Sequence, residues 1–201
     1  MRVAKGRNHV KKEVIQRKSL RIVASETPFE HEQKDKIFSA YFAITDYYKK
    51  YPNPGACHLI SSVFYVLLNE QGIDNDLCIG EVKTGDKYFD HSWIEIGGKV
   101  FDIAIQHTLD ESRNAPVYGG YNLSTGHPHN RVYGSPSPSG FDRDAKKVLN
   151  TPFVKYMDAY PHFKEGAWKI VKVIGKELRL KLDLKELKQT YRDTERKLKL
   201  K

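Results

Sequence analysis

The chain has 201 residues, 39% hydrophobic and 11% aromatic, a composition that suits one domain with a packed core and excludes a disordered chain. No apolar run approaches a membrane span, and the basic N-terminal stretch lacks the apolar block of a secretory signal, so a cytoplasmic protein is expected. The net charge of +9 sits at the ends: residues 1–21 hold eight Lys/Arg against one Glu, and residues 169–201 hold twelve against five Asp/Glu, which leaves −5 between them. Such ends suit solvated tails, or contact with an acidic partner or nucleic acid.

Residues 1–25 have weak periodicity and many charges and read as a basic arm with at most a short helix. Thr27-Pro28-Phe29-Glu30 has the form of a helix start, with a capping threonine, a proline at the first position and a capping-box glutamate. Ile37, Phe38, Tyr41, Phe42 and Ile44 then mark one helical face, ending near Tyr51-Pro52. After the turn-rich segment 51–57, Leu59 to Leu68 is apolar on most sides. This predicts a buried helix of about four turns, headed by Cys57 and stopped at Gly72.

Three strands follow, Asp76–Val82, Tyr88–Ile96 and Lys99–Ile105, separated by turns at Thr84-Gly85-Asp86 and Gly97-Gly98. Residues 106–150 are rich in Gly, Ser, Pro and Asn and read as loops, with Ser135–Ser139 as a stiff exposed one. A short helix is expected within 151–163. Trp168–Ile174 and Glu177–Leu184 alternate like strands, and a charged helix follows from Asp183. The fold class expected is α+β, a Cys-headed buried helix packed on an antiparallel sheet.

Cys57 at a helix N-terminus meets free backbone N–H groups and a partial positive charge, which favour thiolate and can bind an oxyanion. Across a two-residue Gly97-Gly98 turn, residue 102 faces 93 and residue 91 faces 104. Asp102 is therefore a diagonal same-face neighbour of His91, where a carboxylate can orient an imidazole and stabilise its charged form. Cys78, in an apolar strand, reads as a core thiol. His107, His127 and His129 lack the further ligands zinc requires, so no metal and no cofactor is expected. A second oxyanion donor beside the Cys57 N–H is sought at Asn53 or near Tyr51.

The segment from Cys57 to Ile73, the strand Leu77-Cys78-Ile79-Gly80-Glu81-Val82, and His91-Ser92-Trp93-Ile94-Glu95-Ile96-Gly97-Gly98-Lys99-Val100-Phe101-Asp102 together resemble the transglutaminase-like (papain-like) superfamily. The likeness covers roughly residues 53–105 and is nearest to the branch containing lasso-peptide leader peptidases. It implies Cys57 as nucleophile, His91 as general base and then acid, Asp102 as the residue that orients it, and mainly structural roles for Trp93 and Glu95. His58 departs from the pattern, which more often has an apolar residue there.

The domain layout expected is a basic arm over 1–25, a transglutaminase-like catalytic domain over 26–175 with a loop-rich insertion at about 106–150, and a basic strand/helix extension over 176–201. The function expected is a cysteine-dependent hydrolase or acyltransferase. It acts through an acyl-enzyme on a peptide or protein with a reactive amide, as a peptidase or deamidase. The alternative is a non-catalytic binding module whose basic ends hold an acidic partner or nucleic acid.

Overall fold

A computed structural model describes residues 19–109 and 114–200, so most of the expected N-terminal arm lies outside the described residues. Helix α1 (Leu20–Glu26) is capped by Ser19 and closes at Thr27, whose hydroxyl donates to Ala24 O at 2.8 Å. The expected start at Thr27-Pro28 is therefore displaced, and helix α2 spans Lys34–Lys50. The Thr27 hydroxyl already serves the preceding helix. Phe29 meanwhile turns into the core, 5.0 Å from the Phe101 ring and 5.8 Å from Tyr118. Tertiary packing thus overrides a local capping signal.

Helix α3 (Cys57–Asn69) is buried on most sides, as its apolar sequence dictates. It ends where Gly72 takes φ 73°, a conformation glycine adopts without strain. Strands β1 (Asp76–Thr84), β2 (Lys87–Ile96) and β3 (Lys99–Phe101) form the expected meander. Gly97 and Gly98 both have positive φ, the geometry of a two-residue hairpin turn. Ile94 faces Phe101 and Glu95 faces Val100, the register expected from the sequence. Strand β3 is shorter than expected, because at Asp102 the chain leaves β2. It exchanges two 2.9 Å backbone hydrogen bonds with Val117 instead.

A 3₁₀ turn at Ala104–Gln106 follows, then a small hairpin of β4 (Val117–Tyr118) and β5 (Tyr121–Asn122). Strand β6 (Val132–Tyr133) returns to pair Tyr133 with Val82 of β1. Helices α4 (Arg143–Leu149) and α5 (Phe153–Asp158) come next.

The two late strands expected from alternation are not formed. Trp168–Glu177 is helix α6, and residues 178–183 are irregular. Trp168, Val171 and Ile174 are buried at helical spacing while Val173 is exposed. Over so short a run, periods of 2 and 3.6 share several positions, and packing on α3 selects the helix. Helix α7 (Leu184–Thr190) begins as expected at its cap Asp183, and β7 (Lys197–Leu198) then pairs parallel to β1.

The result is α+β. Helix α3 packs on β1 and β2 and is flanked by α2 and α6, and the sheet order is β3-β2-β1-β6 with β7 also on β1. The main core lies between helices and sheet and includes Leu67, Leu77, Ile94 and Phe101. A second cluster on the other sheet face holds Cys78, Val82, Trp93, Val117 and Tyr133. Gly80, paired with His91, is required by this cluster, since a Cβ there would lie 2.9 Å from Trp93 Cη2 and from Lys199 O. No helix among the described residues is long and apolar enough to cross a membrane.

Phe101 ties β3 to Phe29 and to Tyr118. Phe101→Ala is expected to lower the unfolding free energy by about 3–5 kcal/mol. Val173→Ala on the exposed face should change it by no more than about 0.5 kcal/mol. Urea denaturation of both variants checks this.

Candidate active site

Cys57 is the first residue of α3. The N-cap residue, Ala56, supplies no side-chain cap and the first turn holds no acidic residue, so the positive end of the helix is left uncompensated at the thiol. Cys57 borders a cavity of about 730 Å³ that also reaches His91, His58, Phe89 and Ile105.

His91 comes from β2, and its ring lies close enough to Cys57 to interact with the thiol. Its Nε2 lies 2.8 Å from Asp102 Oδ2, which leaves Nδ1 as the ring nitrogen not engaged by the carboxylate. Asp102, one residue beyond β3, is 1% exposed. Its Oδ2 also accepts the Tyr133 hydroxyl at 2.7 Å, and its Oδ1 accepts the Ile105 N–H at 3.1 Å. The three residues singled out from sequence, Cys57, His91 and Asp102, are thus brought into one line of contacts.

Burial alone would push His91 down. The charge of Asp102, then that of Cys57, and hydrogen bonds to both outweigh it and raise its pKa to about 10. Burial would raise Asp102, but His91, Tyr133 and the Ile105 N–H hold it below the usual carboxylate range. The neighbouring imidazole behaves oppositely. Burial, the charge of His91 and that of Arg196 lower His58 to about 4 against the opposing Asp142. Its Nδ1 lies 2.7 Å from Ser92 Oγ.

Cys78 is fully buried, and burial together with Glu95 pushes its thiol well above the ordinary range. Both cysteines are free thiols. Trp93 donates to Glu95 at 2.9 Å and packs edge-on against Tyr133 at 4.9 Å, beside the Asp102 network.

Asn53 and Tyr51, considered as second oxyanion donors, are exposed and do not line the cavity, and the Asn53 carbonyl accepts from Tyr48 and Ala56. Among the described residues, the one group of three clustered metal-ligand types is Asp76, Cys78 and Glu95. Lys197 is paired with Asp76, and Lys199 lies 2.7 Å from Glu95, so that group is already neutralised by cations. Sequence reasoning missed Tyr133. Its two-residue strand carries no periodic signal, and only long-range pairing with β1 brings it to Asp102.

A helix-headed thiol, an imidazole and a buried carboxylate on a curled antiparallel sheet define a papain-like class of protein. The family model of the transglutaminase-like superfamily matches residues 8–112, and the chain belongs to that superfamily. Its members generally carry out cysteine-dependent chemistry on amide bonds. No curated protein and no solved structure matches the chain.

Two consequences of the network can be measured. A histidine whose pKa rises on folding contributes stability that is complete below its unfolded value, about 6.5, and is lost as pH climbs towards about 10. Wild type should therefore lose stability from about pH 6.5 to 9, at up to about 1.4 kcal/mol per pH unit, and His91→Gln should lack that slope. Asp102 has the opposite sign, since its depressed pKa contributes stability that is lost as pH falls through the folded value. Tyr133→Phe should cost about 1.5–3 kcal/mol at pH 7, a deficit that shrinks below about pH 3.9. Urea titrations across pH read both.

Proposed function

We propose that the protein is a thiol hydrolase that cleaves an amide bond in a peptide or protein, with Cys57 as nucleophile, His91 as base and acid, and Asp102 as the orienting carboxylate. The observation that carries this reading is the His91 Nε2–Asp102 Oδ2 bond of 2.8 Å, with Cys57 close to the same ring.

With its raised pKa, His91 already holds the proton of the pair as an imidazolium, and the Cys57 thiolate attacks the substrate carbonyl carbon, forming the C–S bond. The oxygen becomes an oxyanion, which the free N–H groups at the start of α3 can hold. The oxyanion collapses, the C–N bond breaks, and the imidazolium returns its proton to the leaving amine. A thioester acyl-enzyme remains. His91 then gives up its place as acid and takes a proton from water, hydroxide adds to the thioester carbon, and the intermediate collapses with cleavage of the C–S bond, releasing the acid product and leaving the Cys57 sulfur paired again with protonated His91. Asp102 stays ionised throughout and stabilises the imidazolium.

Peptidase or deamidase activity is the form we favour over acyl transfer, because the motifs at Cys57, His91 and Asp102 are nearest to the branch containing lasso-peptide leader peptidases. The segment that carries the site is taken as residues 26–175. The binding-module alternative draws on the basic ends, and part of the C-terminal charge is engaged internally. Arg196 lies over the Tyr156 ring at 4.7 Å, and Lys197 and Lys199 pair with Asp76 and Glu95.

Iodoacetamide labelling across pH 5–9, read by peptide mass spectrometry, tests the reading. Alkylation is expected on Cys57 far faster than on Cys78, and His91→Ala should slow it by about 10²-fold or more. Labelling of Cys57 at the rate of a free thiol, indifferent to His91, would sink the proposal.

A further inference from the structure

Buried polar side-chain atoms without a partner are few in a folded protein, and each calls for an explanation. Three of those among the described residues, Thr84 Oγ1, Asp90 Oδ1 and Arg131 Nη1, belong to residues lining the cavity at Cys57.

Strand register relates two of them. Thr84 pairs with Lys87 across β1 and β2, and Lys83 pairs with Val132 across β1 and β6. Continued one residue beyond the end of β6, that register sets Arg131 opposite Thr84, in line with Lys87. Alternate residues of a strand share a face. That face therefore carries Lys87, Phe89 and His91 along β2, and Thr84, Val82 and Gly80 along β1. The basic row stands four residues from the His91–Gly80 pair, about 13 Å at strand rise. Between them lies the apolar row of Phe89, Val82 and Tyr133. Lys87, Thr84, Arg131, Phe89 and His91 all line the same cavity.

The guanidinium is held ready. Arg131 Nη2 donates to Asn114 Oδ1 at 2.8 Å, which fixes the group while Nη1 is left without an acceptor. No carboxylate of the described residues forms an ion pair with it. The acidic groups of the cavity are engaged in part, Asp90 through Oδ2 alone, since its Oδ1 has no partner. Asp90 Oδ2 accepts the Asp142 N–H at 2.8 Å, Asp142 Oδ1 caps α4 at Ala145, and Asp144 stands in the first turn of that helix. Asp90 alternates with Lys87, Phe89 and His91 along β2 and so borders the cavity from the other face of the strand. A carboxylate matches the free groups of the row. Lys87 and Arg131 give this end of the cavity two cations to attract a carboxylate, and Arg131 Nη1 and the Thr84 hydroxyl, both closed to solvent in the peptide-free protein, are the donors a small side-chain shift would offer it.

We propose that Arg131, Thr84 and Lys87 form a carboxylate-binding subsite of the groove, selecting peptides with an acidic side chain or a free C-terminus about three or four residues from the attacked amide. The inference rests on the reading of Cys57 and His91 given above. It adds a substrate class, anionic peptides with an apolar residue between the anchor and the reacting amide.

The test is protection of Cys57 from iodoacetamide by three pools of hexapeptides. The first is acetylated and amidated with Glu fixed at one position, the second is the same with Gln, and the third carries Gln with a free C-terminus. The half-protecting concentrations are compared as ratios within each protein, so that differences in intrinsic alkylation rate cancel. For wild type, the Glu pool or the free-acid pool is expected to protect at about 10-fold lower concentration than the Gln-amide pool, a preference that declines with added salt. Which of the two does so identifies the source of the carboxylate.

Arg131→Gln should bring the ratio to within about twofold, Arg131→Lys should retain part of it, and Thr84→Val should reduce it. Equal protection by the three pools, protection by none, or a preference that survives both Arg131→Gln and Thr84→Val overturns the subsite. Failure of the underlying reading looks different, because Cys57 alkylation in peptide-free protein would then be independent of His91.

Discussion

The structure turns on a carboxylate that must stay ionised inside the protein. Burying an ion costs several kcal/mol even after relaxation, and the cost is offset only when both carboxylate oxygens find partners in good geometry. Asp102 meets that condition with donors from three separate segments: His91 on β2, Tyr133 on β6 and the Ile105 N–H of the 3₁₀ turn. Positioning them requires β6 to return to β1 and the chain after β3 to turn inward. The paired backbone bonds between Asp102 and Val117 fix that turn. The hydrogen-bond network and the sheet topology therefore support each other.

The same environment sorts two neighbouring imidazoles into opposite states. His91 faces Asp102 and is raised despite complete burial. His58, one residue after the thiol, has only a serine hydroxyl at Nδ1, so burial, joined by the positive fields of His91 and Arg196, lowers it. Residue type does not distinguish them, whereas the charges around each ring do.

The C-terminal basic stretch has a structural share that its composition conceals. Arg196 is 9% exposed and packs over the rings of Phe153 and Tyr156. Beyond it, β7 adds to β1, and Lys197 and Lys199 pair with the acidic side chains of Asp76 and Glu95. Glu95 in turn accepts from Trp93, whose ring packs on Tyr133. The tail is thereby linked, through packed and hydrogen-bonded side chains, to the residue that supports Asp102.

By itself the sequence determined what short-range rules can express. The apolar run after Cys57 specified a buried helix, the Gly97-Gly98 turn set the pairing of β2 with β3, and two-residue alternation put Asp102 on the His91 face. These are contacts within a few residues or across one tight turn, where backbone geometry leaves few choices. Local signals failed where several patterns fitted or where a distant residue decided. Thr27 carried a valid capping motif for a helix that starts at Lys34, and Trp168–Ile174 alternated like a strand while forming a helix. Tyr133 and β7 depend on pairings with β1 made across about 50 to 120 residues of chain. Such pairings follow from how the whole core packs, since no local backbone preference reaches that far, and the tertiary structure alone decided them.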